Sequence, residues 1–571
     1  LRLTAPSRSR LRRRASGFLQ RALSSGTALV LAAAAYGGEA GAPVTRSIVA
    51  AGAVADGRTL NTAVINRVVT EVSESGGGVV YVPPGVFLTG TIYLKNRVTL
   101  HLAGGAVLLG STELQDYPEN PAPPPADTPE FKRISHLYPA SLEFGRYSLV
   151  CADGQHDVAI TGQGRIDGQG HHTNFTKQDL IGRGASKRDA YLKRPYGLSF
   201  VRCQGVTVRD ITLHDLAFWS QDYLDCDDVR ISGVTVDSKK LDYNNDGLDL
   251  DGSRNVRVSD CYFNVGDDAI CFKSSFRDCE NITIANCVLS SLANGVKFGT
   301  ASIGSFRNIA ISNLTMENIN AAGLALEIVD GGTMDGIVIS NIVMNRVGTA
   351  VFLKLGDRGQ KWMDPAKGLA VGRLRNISIS NIVAHLDSDD FRPLCGSISG
   401  LPGHPVEDVT ISNMQLILHH SHTATAAAAT AAAAIPEEAG AYPEYSMFGP
   451  LPASGLYIRH AKGIVLRDID LRFVGEDYRS ALVCDDVQDL DVQGWRSPAL
   501  AGAQPVVCLR GVRRARIAAG VASAGTDTYL RVTDDSSDIL LTGSDLAHAR
   551  LAVSADPSLS PSAITETANR R

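Results

Sequence analysis

Through most of the chain, hydrophobic residues come in short alternating bursts, not at the spacing of an amphipathic helix. The commonest burst is Asn, Asp or Gly, then an aliphatic residue, any residue, and a second aliphatic residue. It reads Asp157-Val158-Ala159-Ile160, Gly205-Val206-Thr207-Val208, Asp228-Val229-Arg230-Ile231, Asn255-Val256-Arg257-Val258, Asn281-Ile282-Thr283-Ile284, Asn308-Ile309-Ala310-Ile311 and Gly336-Ile337-Val338-Ile339. Later copies begin at Asn376, Asp408 and Gly463. Between Val206 and Ile337 successive copies lie about 23 to 28 residues apart. Alternation marks a strand with one buried face, and a period in this range marks stacked supersecondary units. Short strands, turn residues and no intervening helix predict an all-β solenoid, a parallel β-helix, as a single domain over residues 45–555.

The pattern changes near the N-terminus. Val64, Ile65, Val68, Val69 and Val72 recur at helical spacing, so Thr62 to Glu74 predicts a short helix. It would cap the open end of the solenoid and cover the strand edges of the first coil. Strands follow at 78–82 and 98–102. Residues 115–145 and 172–192 read as loop excursions and 556–571 as a tail. Residues 421–440 form an Ala-rich insertion, compatible with a helix or with disorder, to which no function is assigned. Cys203, Cys226 and Cys279 each lie three residues before a motif's first apolar residue, and Cys261 and Cys287 each lie five after it. The ten cysteines contain no CxxC pair that suggests zinc; they read first as buried stacked thiols and second as rung-to-rung disulfides.

Four coils align on a second strand. Their segments are Asn244 to Asp251, Gly266 to Lys273, Leu292 to Gly299 and Ala321 to Glu327. Leu248, Ile270, Val296 and Leu324 then form one inward ladder, and Leu250, Phe272, Phe298 and Leu326 a second. The same register puts Asp246, Asp268 and Asn294 in one column, with Asp267 beside Asp268. Rungs stack roughly 4.8 Å apart, so the two column-mates are close enough to share a water. Strict alternation would turn both acids inward, where unpaired carboxylates cost too much. A backbone break ahead of Leu248 and Ile270 is therefore expected, eased by Gly247. Asp251, Lys273 and Glu327 are expected in a neighbouring outward column that Lys354 extends.

A column of like charges raises the pKa of at least one carboxyl. Glycosidic cleavage has a use for that: one protonated carboxyl for the leaving oxygen and one carboxylate for water or the anomeric carbon. Aspartates that cap turns, or that hold calcium, are alternative readings of the same spacing. Lys273 and Glu327 fit sugar binding or a surface salt-bridge ladder, and Trp219 fits a packed turn residue or a sugar platform.

Composition adds two points. Lys and Arg total 55 against 60 Asp and Glu, so charge directs the chain to no polyanion. Arg10, Arg12, Arg13 and Arg14 precede the apolar stretch Ala28 to Ala35, so residues 1–40 read as an export signal or a disordered leader. Arg13-Arg14 ahead of Phe18-Leu19 resembles a twin-arginine signal. The first reading makes the protein secreted, extracellular or periplasmic.

From about residue 45 to 480 the chain resembles glycoside hydrolase family 28, the polygalacturonases and their relatives. Ala53 to Thr62, Gly76-Gly77-Gly78, Pro83 to Phe87 and Phe218-Trp219 are weak matches. Asn244-Asn245-Asp246-Gly247 looks like the family's Asn-Thr-Asp-Gly motif and Gly266-Asp267-Asp268 its Gly-Asp-Asp, with Asp267 21 positions after Asp246. The resemblance implies a right-handed β-helix, inverting hydrolysis of a pectic or related plant-type polysaccharide, Asp267 as general acid, Asp246 and Asp268 activating water, and neither metal nor cofactor. Asn244, Lys273, Asn294, Lys297, Glu327 and Lys354 are the expected sugar contacts. Two departures stand out. Asn294 replaces the family's His, and Ala325-Leu326-Glu327 replaces its Arg-Ile-Lys, so the cations that grip a galacturonate carboxylate are missing. Lys297, in the outward column of Ala325, is a substitute cation, as are Lys273 and Lys354. A neutral or differently linked sugar is the matching expectation. A lyase on the same fold, or a non-catalytic glycan-binding protein, are the alternatives.

Overall fold

The residue that opens each repeat adopts a left-handed backbone. Asn255, Asn281 and Asn308 have φ of 56°, 59° and 54°, and Gly205 and Gly336 take the same turn. Asn and Gly tolerate this conformation better than other residues. The asparagines also stack: Asn281 Nδ2 donates to Asn255 Oδ1, and Asn308 Nδ2 to Asn281 Oδ1, each at 3.3 Å. A second amide ladder runs Asn286, Asn313, Asn341, Asn381, Asn413 along the next turn. These ladders fix coil-to-coil register at the corners, where backbone pairing stops.

In the computed structural model, which describes residues 44–119, 147–186, 193–239, 244–275, 277–359, 370–387 and 395–571, the chain winds into a right-handed parallel β-helix. One coil consists of Leu248–Asp251, Arg254–Ser259 and Tyr262–Val265. Each strand pairs in parallel with its counterpart in the next coil, Ile270–Ser274, Cys279–Ala285 and Val288–Ser291. The repeat's first aliphatic residues make a continuous inner ladder through Val256, Ile282, Ile309, Ile337, Ile377, Val409 and Ile464, all buried. The helix Thr62–Glu74 buries Ile65, Val68, Val69 and Val72 against this core, as its periodicity predicts.

One expectation changes and two gain detail. Residues 556–571 are no tail, since Ile564–Thr567 pairs with Ser537–Thr542 and continues the stack; only one of those four residues is apolar, which hid the strand. The Ala-rich insertion is a helix over Ala424–Ala432, whose N-cap Thr423 accepts a hydrogen bond from the Ala426 amide at 3.3 Å. The excursion at 172–192 holds a short helix, Lys177–Gly182. All ten cysteines are buried free thiols. The leader, residues 120–146 and residues 187–192 lie outside the described residues. No helix among the described residues is long and apolar enough to cross a membrane.

Candidate active site

The aligned coils pair as the repeat predicts. Leu248 lies beside Ile270, Ile270 beside Val296 and Val296 beside Leu324; Leu250, Phe272, Phe298 and Leu326 do the same. The strands begin only at Leu248 and Ile270, so Asp246 and Asp268 sit in the bends ahead of them and escape the strict alternation. Gly247 serves this bend by close approach, not by a left-handed backbone. A Cβ there would stand 2.5 Å from the Ala269 carbonyl oxygen and 2.7 Å from the Phe263 ring.

Asp267 is half-buried and held by backbone. The amide of Asn244 donates to its Oδ2 at 2.6 Å, and the amide of Asp268 to its Oδ1 at 3.0 Å. Burial, then the neighbouring Asp268, push its carboxyl up to about 6. Asp268 is held differently. Its Oδ1 accepts from the Asn294 amide at 3.2 Å and from Asn294 Nδ2 at 2.8 Å, and its Oδ2 lies 3.5 Å from Lys297 Nζ. Asn294 Oδ1 in turn accepts from the Ala322 amide at 3.1 Å.

Around Asp246 the charges are denser. Lys273 Nζ stands 2.5 Å from Asp249 Oδ1, 3.0 Å from Cys271 Sγ and 3.8 Å from Asp246 Oδ2, with the Trp219 ring 4.3 Å away on another side. Burial works against its charge, but Asp249, Cys271 and Asp246 together outweigh it and hold the ammonium charged. Burial, and then Asp249 and Asp267, push Asp246 well above the usual carboxylate range. Asp249 rises to about 7, mainly through burial, against the pull of Lys273. Asp246, Asp249 and Cys271 offer three ligand atoms within 4.8 Å of one another, the type of group that can hold a metal ion. The Lys273 ammonium is bound by the same three side chains, so the cluster already carries its own cation. Beyond Asp249 in the same outward column is Asp222, also buried and raised first by burial and then by Asp249.

Comparison with known proteins agrees with this geometry. The model of the family described as glycosyl hydrolases family 28 matches residues 143–434, just over half of the chain and all three acids. The chain belongs to glycosyl hydrolases family 28. A probable polygalacturonase of Vitis vinifera is 27% identical over 391 residues, covering 65% of this chain and 74% of that protein. An exo-poly-alpha-D-galacturonosidase of Dickeya chrysanthemi is 27% identical over 395 residues, covering 62% of this chain and 64% of its own length. Among solved structures, the family 28 exopolygalacturonase of Yersinia enterocolitica superposes with TM-score 0.54 at 18% identity, covering 78% of each chain. The exopolygalacturonase of Thermotoga maritima superposes with TM-score 0.52 at 22% identity, covering 66% of this chain and 87% of that one. These two likenesses are of fold.

In this family 28 glycosidase the remaining expected contacts are placed unevenly. Asn244 meets the site through its backbone amide. Asn294 is buried with its amide engaged by Asp268 and Ala322, so it braces an acid and does not present itself to a sugar. Asp251 lies beside Lys273 in register, but a bulge between Phe272 and Ser274 breaks the column before Glu327, so the expected continuous column does not form. Glu327 and Lys354 do pair, yet both are buried. Lys354 Nζ donates to the Glu437 carbonyl at 3.0 Å and faces the Phe448 ring at 5.1 Å. Burial and Arg459 bring it down to about 8, so it stands apart from the acid cluster as a covered group. The cover is the stretch after the Ala-rich helix, where Tyr445, Phe448 and Leu451 pack on Ala325, Phe352 and Tyr457. Trp219 is buried against Phe218 and Tyr196, a packed residue as the turn reading has it.

Sequence reasoning missed Asp249, Cys271, Tyr442 and Glu444. The first two were visible as the outward positions between ladder residues. The last two lie in an aromatic-rich run, Tyr442 to Phe448, that follows the alanines and carried the only signal.

Proposed function

We propose that this protein is a secreted inverting glycosidase that hydrolyses O-glycosidic bonds in a pectic or related plant-type polysaccharide. The observation that carries the reading is the meeting of Asp246 with Asp267 and Asp268, 21 and 22 positions further along the chain, in one cluster with two lysines. Asp267, raised by burial and by Asp268, is the acid that keeps its proton at mildly acidic pH. It gives that proton to the glycosidic oxygen as the bond to the anomeric carbon breaks. A water attacks the anomeric carbon from the opposite face and loses its proton to the Asp246–Asp268 pair. Donors from Asn294 and the Lys297 ammonium converge on Asp268 and hold its carboxyl in place. Lys273 compensates the buried charge of Asp246 and Asp249. The names of the curated relatives favour a pectic polymer, and the basic and apolar run from Arg10 to Ala35 favours export.

The test is a panel of pectic and other plant glycans, with products resolved by mass and the first-formed anomer followed by NMR. Release of the inverted anomer is expected; an unsaturated product absorbing in the ultraviolet would replace hydrolysis with elimination.

A further inference from the structure

Lys297 is the cation nearest the water-activating Asp268, and its surroundings are unusual for a group meant to seize an anion. Its Nζ lies 3.5 Å from Asp268 Oδ2 on one side and 3.5 Å from Glu444 Oε1 on the other, with the Tyr442 ring 5.4 Å away. Glu327, on the following rung, is 1% exposed, and its Oε2 has no hydrogen-bond partner among the described residues. The lysine side chain is 3% exposed, whereas that of Glu444 is 39% exposed, so a ligand reaches Glu444 before it reaches the ammonium. Three carboxyls thus face one cation, and the outermost is contributed by a segment 147 residues away in sequence.

A sugar carboxylate arriving here must displace Glu444 from Lys297 and then sit beside Asp268 and Glu327. Like-charge contacts of this kind cost several kcal/mol in a partly desolvated interface. A hydroxyl or hydroxymethyl group meets no such penalty, because it donates to Glu444 or Glu327 and leaves the existing ion pair in place.

Building on the glycosidase reading, we propose that Glu444 is a specificity-determining residue that cancels Lys297, so that the subsite beside Asp268 selects a neutral sugar over a uronic acid. Pectic backbones in which neutral and uronic sugars alternate supply such a residue on one side of every bond. Unbroken polyuronate does not.

The experiment compares the full chain and Glu444→Gln on three probes: an oligogalacturonate, the same oligomer with its carboxyls reduced to alcohols, and an alternating neutral–uronic pectic oligomer. Wild type should favour the alternating or reduced probe over oligogalacturonate by at least about tenfold in kcat/KM, a difference of about 1.4 kcal/mol. Glu444→Gln should raise the ratio of kcat/KM on oligogalacturonate to that on the neutral probes by a similar factor, and Glu327→Gln should move the same ratio in the same direction. A wild type that prefers oligogalacturonate, or a ratio unmoved in both variants, overturns the proposal while leaving glycosidase activity intact. If no probe is cleaved, the glycosidase reading fails on these substrates. Calorimetric binding to Asp267→Asn with and without Glu444→Gln then decides selectivity alone: equal binding of charged and reduced oligomers, or binding of neither, overturns it.

Discussion

Two stretches of one sheet face share an interior and differ in everything outside it. The inward ladder runs unchanged through Tyr223, Leu250, Phe272, Phe298, Leu326, Leu353, Ile398 and Ile458. The outward column beside it reads Asp222, Asp249, Cys271 and Lys297 over the first coils, and then Ala325, Phe352, Ser397 and Tyr457. The first half is polar and holds the acids. The second is largely apolar and is roofed by Tyr445, Phe448 and Leu451. The inner face therefore decides that the chain stacks, and the outer face decides what each coil does. A coil can change from acid-bearing to covered without altering the apolar character of the residue that packs inside.

The strongest way to break this comparison is to remove the acids. Asp267→Asn, Asp246→Asn and Asp268→Asn should each lower kcat by at least about a hundredfold, the scale of lost general acid–base catalysis, with Tm nearly unchanged. Wild-type turnover in any two would defeat the assignment. Next, Lys273→Met leaves Asp246 and Asp249 buried without their cation. It should destabilise the fold by about 3 kcal/mol at pH 7 in denaturant titration. The loss should shrink toward pH 5, because Asp249, already raised to about 7, then takes up a proton and no longer needs the ammonium. An equal loss at both pH values would exclude charge compensation as the role of Lys273.

The third effect is gentler. On the proposed mechanism Asp267 acts in its protonated form, and its carboxyl is raised from the ordinary range to about 6. In the profile of kcat/KM, activity should hold below that pH and fall about tenfold per unit above it. A basic limb displaced by two units or more would assign the acid to another group. The smallest effect lies at the corners, away from the site. Asn281→Gly keeps the left-handed turn but removes its two side-chain ladder contacts, to Asn255 and Asn308, and should cost about 1 kcal/mol or less with full activity.

The inner face was readable because its rule is local. Alternation and a leading turn residue repeat every coil, so Leu248, Ile270, Val296 and Leu324 could be placed side by side from spacing alone. The three acids followed because they sit at fixed offsets from those ladder positions. The lysines were harder to place. Lys273 does lie beside Asp251 in register, but its long side chain runs diagonally to Asp249 and Asp246, a reach that Cα spacing does not encode. Glu444 was out of view for a different reason: an insertion has no repeat to align with, and nothing in the alanine run says which coil its continuation lands on. The strand Ile564–Thr567 escaped notice because backbone pairing needs no apolar side chains.

The unbroken chain of coil-to-coil pairing also shapes how the molecule comes apart. Units that touch only their neighbours have no common keystone, so opening begins where a coil has one neighbour instead of two. Amide exchange should then be slow through the coils that are paired on both sides, such as the one carrying Leu248–Asp251. Asp246, Asp267 and Asp268 occupy such a stretch, with paired coils on both sides that shield it from local opening.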